Sequence, residues 1–327
     1  MKPSLAFLSV ITLAMCPLVS VTAAAPKRVL VVTLTTGFRH TSIPLAEALL
    51  VKLGETSGAY TVVDFARQPT TRVFPKPNKP GDLPATADEP AKARHAADLK
   101  NYDEALAKWS PDAQTRLDAE WRDALAKISP ARLLSNKIDM VVFANTTGEL
   151  AIPEKEGFIQ WIQDGHAFVA MHSGCDTYHQ FPAYLDMLQG QFAGHQARVP
   201  AELFAGDTKH PANGGIGATW KIEQEEMYII KRQNPGQVHS LWFMRHHPND
   251  VNDVKLYPVS WCRMAGKGRV FYTSLGHRED LWSDDPALPD RRNTVETSKR
   301  FQQHLLGGLK WSLGLVPGSA EPNPDVK

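Results

Sequence analysis

Ala167-Phe168-Val169-Ala170-Met171, followed without a spacer by His172-Ser173-Gly174-Cys175-Asp176-Thr177, is an apolar run that stops abruptly at a polar, glycine-containing loop. Such an uninterrupted apolar run suits a strand buried on both faces, as in a parallel sheet. The same grammar occurs twice upstream. Arg28-Val29-Leu30-Val31-Val32-Thr33-Leu34 runs into Thr35-Thr36-Gly37-Phe38-Arg39-His40, and Ile138 to Ala144 runs into Asn145-Thr146-Thr147-Gly148-Glu149. Tyr60 to Phe65 reads as another strand. Helical spacing fills the gaps. A helix is expected from about Ser42, with Pro44 in its first turn, Leu45, Leu49 and Leu53 on one side, and an end between Gly54 and Gly58. Pro153 to Asp164 carries Phe158, Ile159 and Ile162 on one face and stops at Gly165, and Tyr178 to Leu188 is a further helix. Strands alternating with helices predict an α/β fold with a doubly wound, mostly parallel sheet. Residues 196–275 are richer in β signals, and Val254–Trp261 with Arg269–Ser274 across Ala265-Gly266-Lys267-Gly268 predicts an added β-hairpin. Phe301 to Leu313 reads as a closing helix.

Two stretches depart from this pattern. Residues 67–110 hold many prolines and few large apolar groups, which predicts an exposed, partly irregular insertion. Pro111 to Ile128 returns to helical spacing through Leu117, Trp121, Leu125 and Ile128, and the proline-containing tail over 317–327 is expected to be mobile.

The bulk properties set limits. The 327 residues suit one large α/β domain, and a formal net charge of +1 gives no attraction for a polyanion, so nucleic acid is excluded as a partner. Lys2, an apolar stretch from Leu5 to Val21 and Thr22-Ala23-Ala24-Ala25 form the charged, apolar and small-residue regions of an export signal over residues 1–24. The domain then covers 25–316, and the location is periplasmic or secreted. An uncleaved anchor is the rival, since ~18 apolar residues can span a bilayer, and Leu13 to Cys16 resembles a lipobox with an awkward Met15 and Pro17. After signal removal Cys175 and Cys262 remain, equally compatible with a disulfide and with two buried thiols.

Ligands of open α/β sheets bind outside the carboxyl ends of the strands. There the loops after the predicted strands collect Arg39, His40, Thr147, His172, Ser173, Asp176 and His277. Ser173 lies outside a Gly-x-Ser-x-Gly turn, so nothing forces it into the position of a nucleophile. Asp176 and Thr177 read equally as caps of the next helix. Gly194-His195-Gln196 and Glu225-Glu226-Met227-Tyr228 add further polar groups, and adjacent acids on a strand face opposite ways, so one of the pair can enter a given cleft. No spacing among these residues matches a dedicated metal motif, so no metal ligands are assigned, although several His with a Glu leave a divalent metal admissible.

Thr36-Gly37-Phe38-Arg39-His40, Asn145-Thr146-Thr147-Gly148, His172-Ser173-Gly174 with Asp176-Thr177, His210-Pro211, Glu225-Glu226 with Tyr228, and Tyr257 to Trp261 with Gly268 to His277 resemble, in order and over about Lys27 to Leu315, the ThuA-like (trehalose-utilisation) family. The resemblance implies the flavodoxin-like sheet of class I glutamine amidotransferases. It also implies sugar utilisation through 3-keto disaccharides or glycosides, without glutaminase activity, because His172 and Ser173 stand where the amidotransferase Cys would be. On this reading His172, His277, Glu226 and Arg39 are catalytic, with a His or Glu as base and Arg39 holding an oxyanion. His40, Thr147, Ser173, Asp176, His195, Glu225 and Tyr228 bind a small-molecule sugar. The enzyme would be of hydrolase, lyase or isomerase type. The alternative is a non-catalytic carbohydrate-binding protein using the same polar cleft, with Trp161, Trp242, Trp261 and Trp282 as candidate stacking surfaces, most of them expected in the core. Stable membrane insertion is not expected, and a homo-oligomer stays open.

The export reading predicts a mature N-terminus at Ala24 or Ala25, found by N-terminal sequencing of the protein recovered from outside the cytoplasm. An intact Met1 in a membrane fraction would contradict it.

Overall fold

The computed structural model describes residues 25–250, 252 and 255–326; the export signal lies outside the described residues. The chain runs β1 (Lys27–Val32), α1 (Ile43–Ser57), β2 (Tyr60–Ala66), α2 (Glu89–Lys108), α3 (Ala113–Ala126), α4 (Pro130–Ser135), β3 (Met140–Ala144), α5 (Lys155–Gln163), β4 (Ala167–Met171), α6 (Pro182–Leu188), β5 (Gln191–His195), β6 (Val199–Ala205), β7 (Thr219–Glu225), β8 (Tyr228–Lys231), β9 (His239–Met244), β10 (Tyr257–Ala265), β11 (Gly268–Thr273), α7 (Glu279–Trp282) and α8 (Val295–Ser312). One large sheet has the order β2-β1-β3-β4-β11-β10-β9-β6-β7, and β5 pairs with β8 in a small second sheet. The strands from β2 to β11 are parallel. The pairs from β11 to β7 are antiparallel, so the predicted hairpins continue the same sheet.

The alternation of side chains along β1 divides the core into two layers. Val29 and Val31 pack with Leu49, Leu50 and Leu53 of α1 and with Leu305 and Leu309 of α8. Leu30 and Val32 pack on the other face with Leu125, Leu133, Phe158 and Leu185, from α3 to α6. Each fully buried Leu contributes about 1.5–3 kcal/mol relative to exposure, so α1 and α8 hold their face firmly.

The insertion contributes nothing comparable. Residues 67–88 have no helix or strand, and α2 has no buried residue. Its 20-residue helix was not expected from the sequence. Ala, Glu, Lys and Leu favour helix, but they form no apolar stripe, so periodicity is silent. Asp88 starts the helix by accepting from the Ala91 amide at 2.8 Å.

Three further expectations are corrected. The helix after β4 begins only at Pro182, because His172–Asp176 makes a 3-10 turn first. Asp176 and Thr177 therefore do not cap it: Asp176 pairs with His179 at 2.8 Å, and Thr177 Oγ1 shares a hydrogen bond with Thr146 Oγ1 at 2.8 Å. The segment after Pro317 is not loose. The Glu321 carbonyl accepts from His239 Nδ1 at 2.6 Å, and the Asn323 side chain accepts from the Ser240 amide at 2.6 Å and donates to the Ser240 carbonyl at 3.1 Å. Cys175 and Cys262 are both free and buried, which resolves the question of a disulfide.

Limited proteolysis is expected to cut first within residues 67–110 and to leave the remaining domain folded, with a melting temperature lowered by no more than about 2–4 °C. First cuts in the sheet instead would contradict this account.

Candidate functional site

Four of the loops named by the sequence meet at the carboxyl edge of the parallel strands. His40 follows β1, His172 follows β4, His277 follows β11 and Glu226 follows β7. The ring centroids of His40 and His172 lie 4.6 Å apart, those of His40 and His277 5.3 Å, and those of His172 and His277 5.5 Å. His172 is fully buried and carries a left-handed backbone, φ 47°, as the chain turns out of the sheet. A non-glycine residue held there stores strain of order 1–3 kcal/mol and persists only where its surroundings fix it.

The fixing contacts are specific. His172 Nδ1 donates to the Ser274 carbonyl at 2.7 Å, which leaves Nε2 as an acceptor facing the crevice. The Tyr228 hydroxyl donates to that nitrogen at 2.8 Å, and His40 Nε2 is 3.1 Å from it. His40 Nδ1 meets Ser173 Oγ at 3.3 Å. Glu226 lies among three imidazoles: Oε2 is 3.1 Å from His277 Nδ1 and 3.6 Å from His172 Nε2, while Oε1 is 3.1 Å from His195 Nδ1. One donor atom from each of His40, His172, Glu226 and His277 lies within 4.8 Å of all the others, so these four could hold a metal ion.

A second layer holds the loops together. Asn145, also left-handed at φ 55°, donates through Nδ2 to Ser42 Oγ at 2.9 Å and to the Gly276 carbonyl at 3.1 Å. Ser42 stands at the N-cap of α1 but makes no capping bond; its hydroxyl donates to the same Gly276 carbonyl at 3.1 Å. A cap is typically worth about 1 kcal/mol, which is given up here to tie α1 to the loop carrying His277. Gly276, at φ 127°, is pressed so close that a Cβ would lie 2.7 Å from Trp282 and 3.5 Å from the His172 Cβ. Glu225 lies beneath. Its carboxyl accepts from the amides of Glu226, His277 and Arg278 at 2.9–3.2 Å.

The charges divide unevenly. Burial, reinforced by the neighbouring His277, lowers His40 to about 4, and burial with His40 and His277 nearby lowers His172 well below the ordinary imidazole value. Both are neutral bases near pH 7. Burial would lower His277 too, but contact with Glu226 and the charges of Glu225 and Glu226 outweigh it, and its value is raised. Burial opposes the charge of Glu226, yet His277 and the other imidazoles hold its value below the usual carboxylate range. Burial pushes Glu225 up to about 7 against its amide donors.

Several predicted residues lie outside this arrangement. Arg39 is exposed and donates to the Thr33 carbonyl at 2.8 Å, so it is not positioned to hold an oxyanion. Thr147 donates to the Phe38 carbonyl at 2.9 Å, a loop-to-loop tie, and Asp176 is engaged with His179. Glu225 serves the backbone, as above. Trp161, Trp242, Trp261 and Trp282 are all at most 3% exposed and belong to the core, so none is a sugar platform. Phe38 is the aromatic that sequence reasoning passed over. It is 66% exposed, with its ring 4.8 Å from that of His40. Its signal was its place in the Thr36–His40 loop, where an apolar ring among polar residues needs a reason. Asn145 and Ser42 were legible as polar residues but not as ties, because their partners are distant in sequence.

The family model described as trehalose utilisation, ThuA, matches residues 28–312. A ThuA-like protein from Parabacteroides merdae shares the fold with a TM-score of 0.55 and 16% identity, over 92% of this chain and 96% of its own. One from Bacteroides uniformis gives 0.54 and 16%, over 94% and 98%. No curated protein sequence matches this chain significantly.

The shifts of His40 and His277 act on stability with opposite signs. Folded His40 takes a proton only near 4, whereas an unfolded histidine does so near ~6.5, so stability falls as pH drops through that window. His277, raised in the folded state, adds stability that is present below ~6.5 and is lost as pH rises through its folded value. Urea unfolding at about pH 7, 5.5 and 4.5 should show an acid limb to which His40 contributes up to about 3 kcal/mol. His40→Gln should flatten that limb; an unchanged slope would exclude His40 as its source.

Proposed function

Since the chain belongs to the ThuA (trehalose utilisation) family, we propose that it is an exported enzyme of sugar utilisation that acts on 3-keto disaccharides or glycosides by proton transfer beside the ketone. The observation that carries this reading is the Glu226–His277 contact at 3.1 Å, a carboxylate and an imidazole of opposed tendency within one crevice.

The ketone at C3 acidifies the C2–H bond. Glu226 takes that proton, and the electron pair moves to the ketone oxygen as an enolate. Its return breaks the C1–O bond and forms a C1=C2 double bond, while His277 as an imidazolium gives its proton to the departing oxygen. The Tyr228 hydroxyl has one proton, held at His172 Nε2; turned from that nitrogen as charge develops, it would serve the enolate oxygen. His172 keeps its Nε2 lone pair in the crevice and positions that hydroxyl. Phe38 offers an exposed apolar face at the rim for a sugar ring.

A cysteine mechanism has no support. Cys175 is wholly buried, and burial pushes its thiol up to about 12. A thiol so far from ionising is a poor nucleophile. Work outside the cytoplasm is part of the same proposal and rests on the export signal alone.

Release of nitrophenol from p-nitrophenyl 3-keto-glucoside measures the reaction directly. Glu226→Gln and His277→Ala are each expected to lower kcat by about 10²–10⁴-fold with the fold intact. Binding of the keto-sugar without turnover in the wild type would make the protein a binding module, and full activity in Glu226→Gln would remove that residue from the mechanism.

A further inference from the structure

We propose that His40, His172, His277 and Glu226 form a binding site for one divalent first-row transition-metal ion, with Zn²⁺ as the reference ion. The inference concerns the site of the proposed reaction but does not depend on which sugar is used, or on whether any is; with the ion bound, His277 and Glu226 are ligands, so the proton transfers described above belong to the metal-free protein.

The spacing of the donor atoms carries the argument. Two ligand atoms on a tetrahedral ion with bonds of ~2.0–2.1 Å lie about 3.3 Å apart. His40 Nε2 and His172 Nε2 are 3.1 Å apart, His277 Nδ1 and Glu226 Oε2 3.1 Å, and His172 Nε2 and Glu226 Oε2 3.6 Å. All four donor atoms lie within 4.8 Å of one another, against about 3.3 Å on a tetrahedral ion, so metal binding would draw the widest pair in by up to about 1.5 Å through side-chain rotation.

Hydrogen bonding alone leaves one of these atoms unserved. His277 Nδ1 is buried and 3.1 Å from a carboxylate oxygen, yet forms no hydrogen bond. His172 Nε2 accepts from the Tyr228 hydroxyl at 2.8 Å and faces His40 Nε2 at 3.1 Å, so an ion would take over the lone pair that Tyr228 now holds. Three imidazole nitrogens and a carboxylate oxygen gathered at this spacing are what an ion requires.

The outer contacts are also those of a metal site, where each ligand is oriented through its far atom. The Ser274 carbonyl holds His172, Ser173 Oγ holds His40, and His195 holds the second oxygen of Glu226. Three imidazoles with one carboxylate are a borderline-soft set, which favours Zn²⁺ and its first-row neighbours over Mg²⁺ or Ca²⁺ with their all-oxygen shells. His277 is the solvent-facing member, with a side chain 20% exposed, so water or a sugar oxygen can reach the ion from its side.

The full-length mature protein, stripped with a chelator and titrated with ZnCl2 by calorimetry, should bind about one equivalent per chain, with a Kd of about 1 μM or lower. CoCl2 should give visible absorption bands of a low-coordinate site. His277→Ala and Glu226→Gln should each weaken binding by about 100-fold or more, and His172→Ala likewise if it folds. Sub-stoichiometric or absent binding in the wild type would overturn the proposal, as would wild-type affinity in the His277→Ala/Glu226→Gln double variant. Neither readout involves sugar, so an intact metal site with no keto-sugar turnover would reject the proposed function and keep this one.

Discussion

The side-chain amide of Asn145 is the interaction on which the rest of the site depends. Its Nδ2 reaches Ser42 at the start of α1 and the carbonyl of Gly276 beyond β11, so one group joins the chain ends of three parallel strands. Beyond the strands, bridges of Thr35 with Thr147 and of Gly148 with Thr177 keep the first loops in register. The Asn145 tie adds the loop of His277 to them, and the bond from His172 Nδ1 to the Ser274 carbonyl joins the loop after β4 to that same loop. The tie is buried, where competing water is absent and a broken hydrogen bond leaves two polar groups unsatisfied at about 1–3 kcal/mol. The left-handed backbones of Asn145 and His172 belong to the same device, because each turns the chain sharply enough to aim its side chain back across the strand ends.

With the loops fixed, the electrostatics follow from depth. His172 and His40 lie deep and stay neutral, and His277 lies nearer solvent, where Glu226 and Glu225 raise its value. Three copies of one side chain thus acquire different protonation behaviour from position alone. The turn after β4 presents a positioned imidazole to the crevice. The nearby thiol of Cys175 turns inward, where Tyr272 donates to it at 2.9 Å.

The sequence was most informative where burial is complete. Ala167–Met171 has the same limits in sequence and structure, because a strand covered on both faces must be apolar throughout. The convergence of the histidine loops was also legible, since the carboxyl edge of a parallel sheet is a topological destination. Orientation was not. Arg39 and His40 are neighbours, yet one folds back on Thr33 and the other faces the cluster. Of the two adjacent glutamates, alternation says that one enters and is silent on which. The helix α2 escaped because its residues favour helix without marking a face, and the tryptophans left both roles open because an aromatic suited to stacking on sugar is equally suited to a core, where all four lie.

Glu226 has an unusual origin. It follows β7, the outermost strand at one end of the large sheet, while His172 and His277 follow β4 and β11 near the middle. The chain returns across the strand ends from β7 and enters the small β5–β8 sheet, which carries Tyr228 and His195. In the large sheet β7 pairs with β6 alone, from Val199 with Glu225 to Phe204 with Thr219. The carboxylate therefore hangs on a border that one neighbour holds, while the three histidines follow strands flanked on both sides. Damage that frayed the border would unload the negative charge of the site and leave its imidazoles in place.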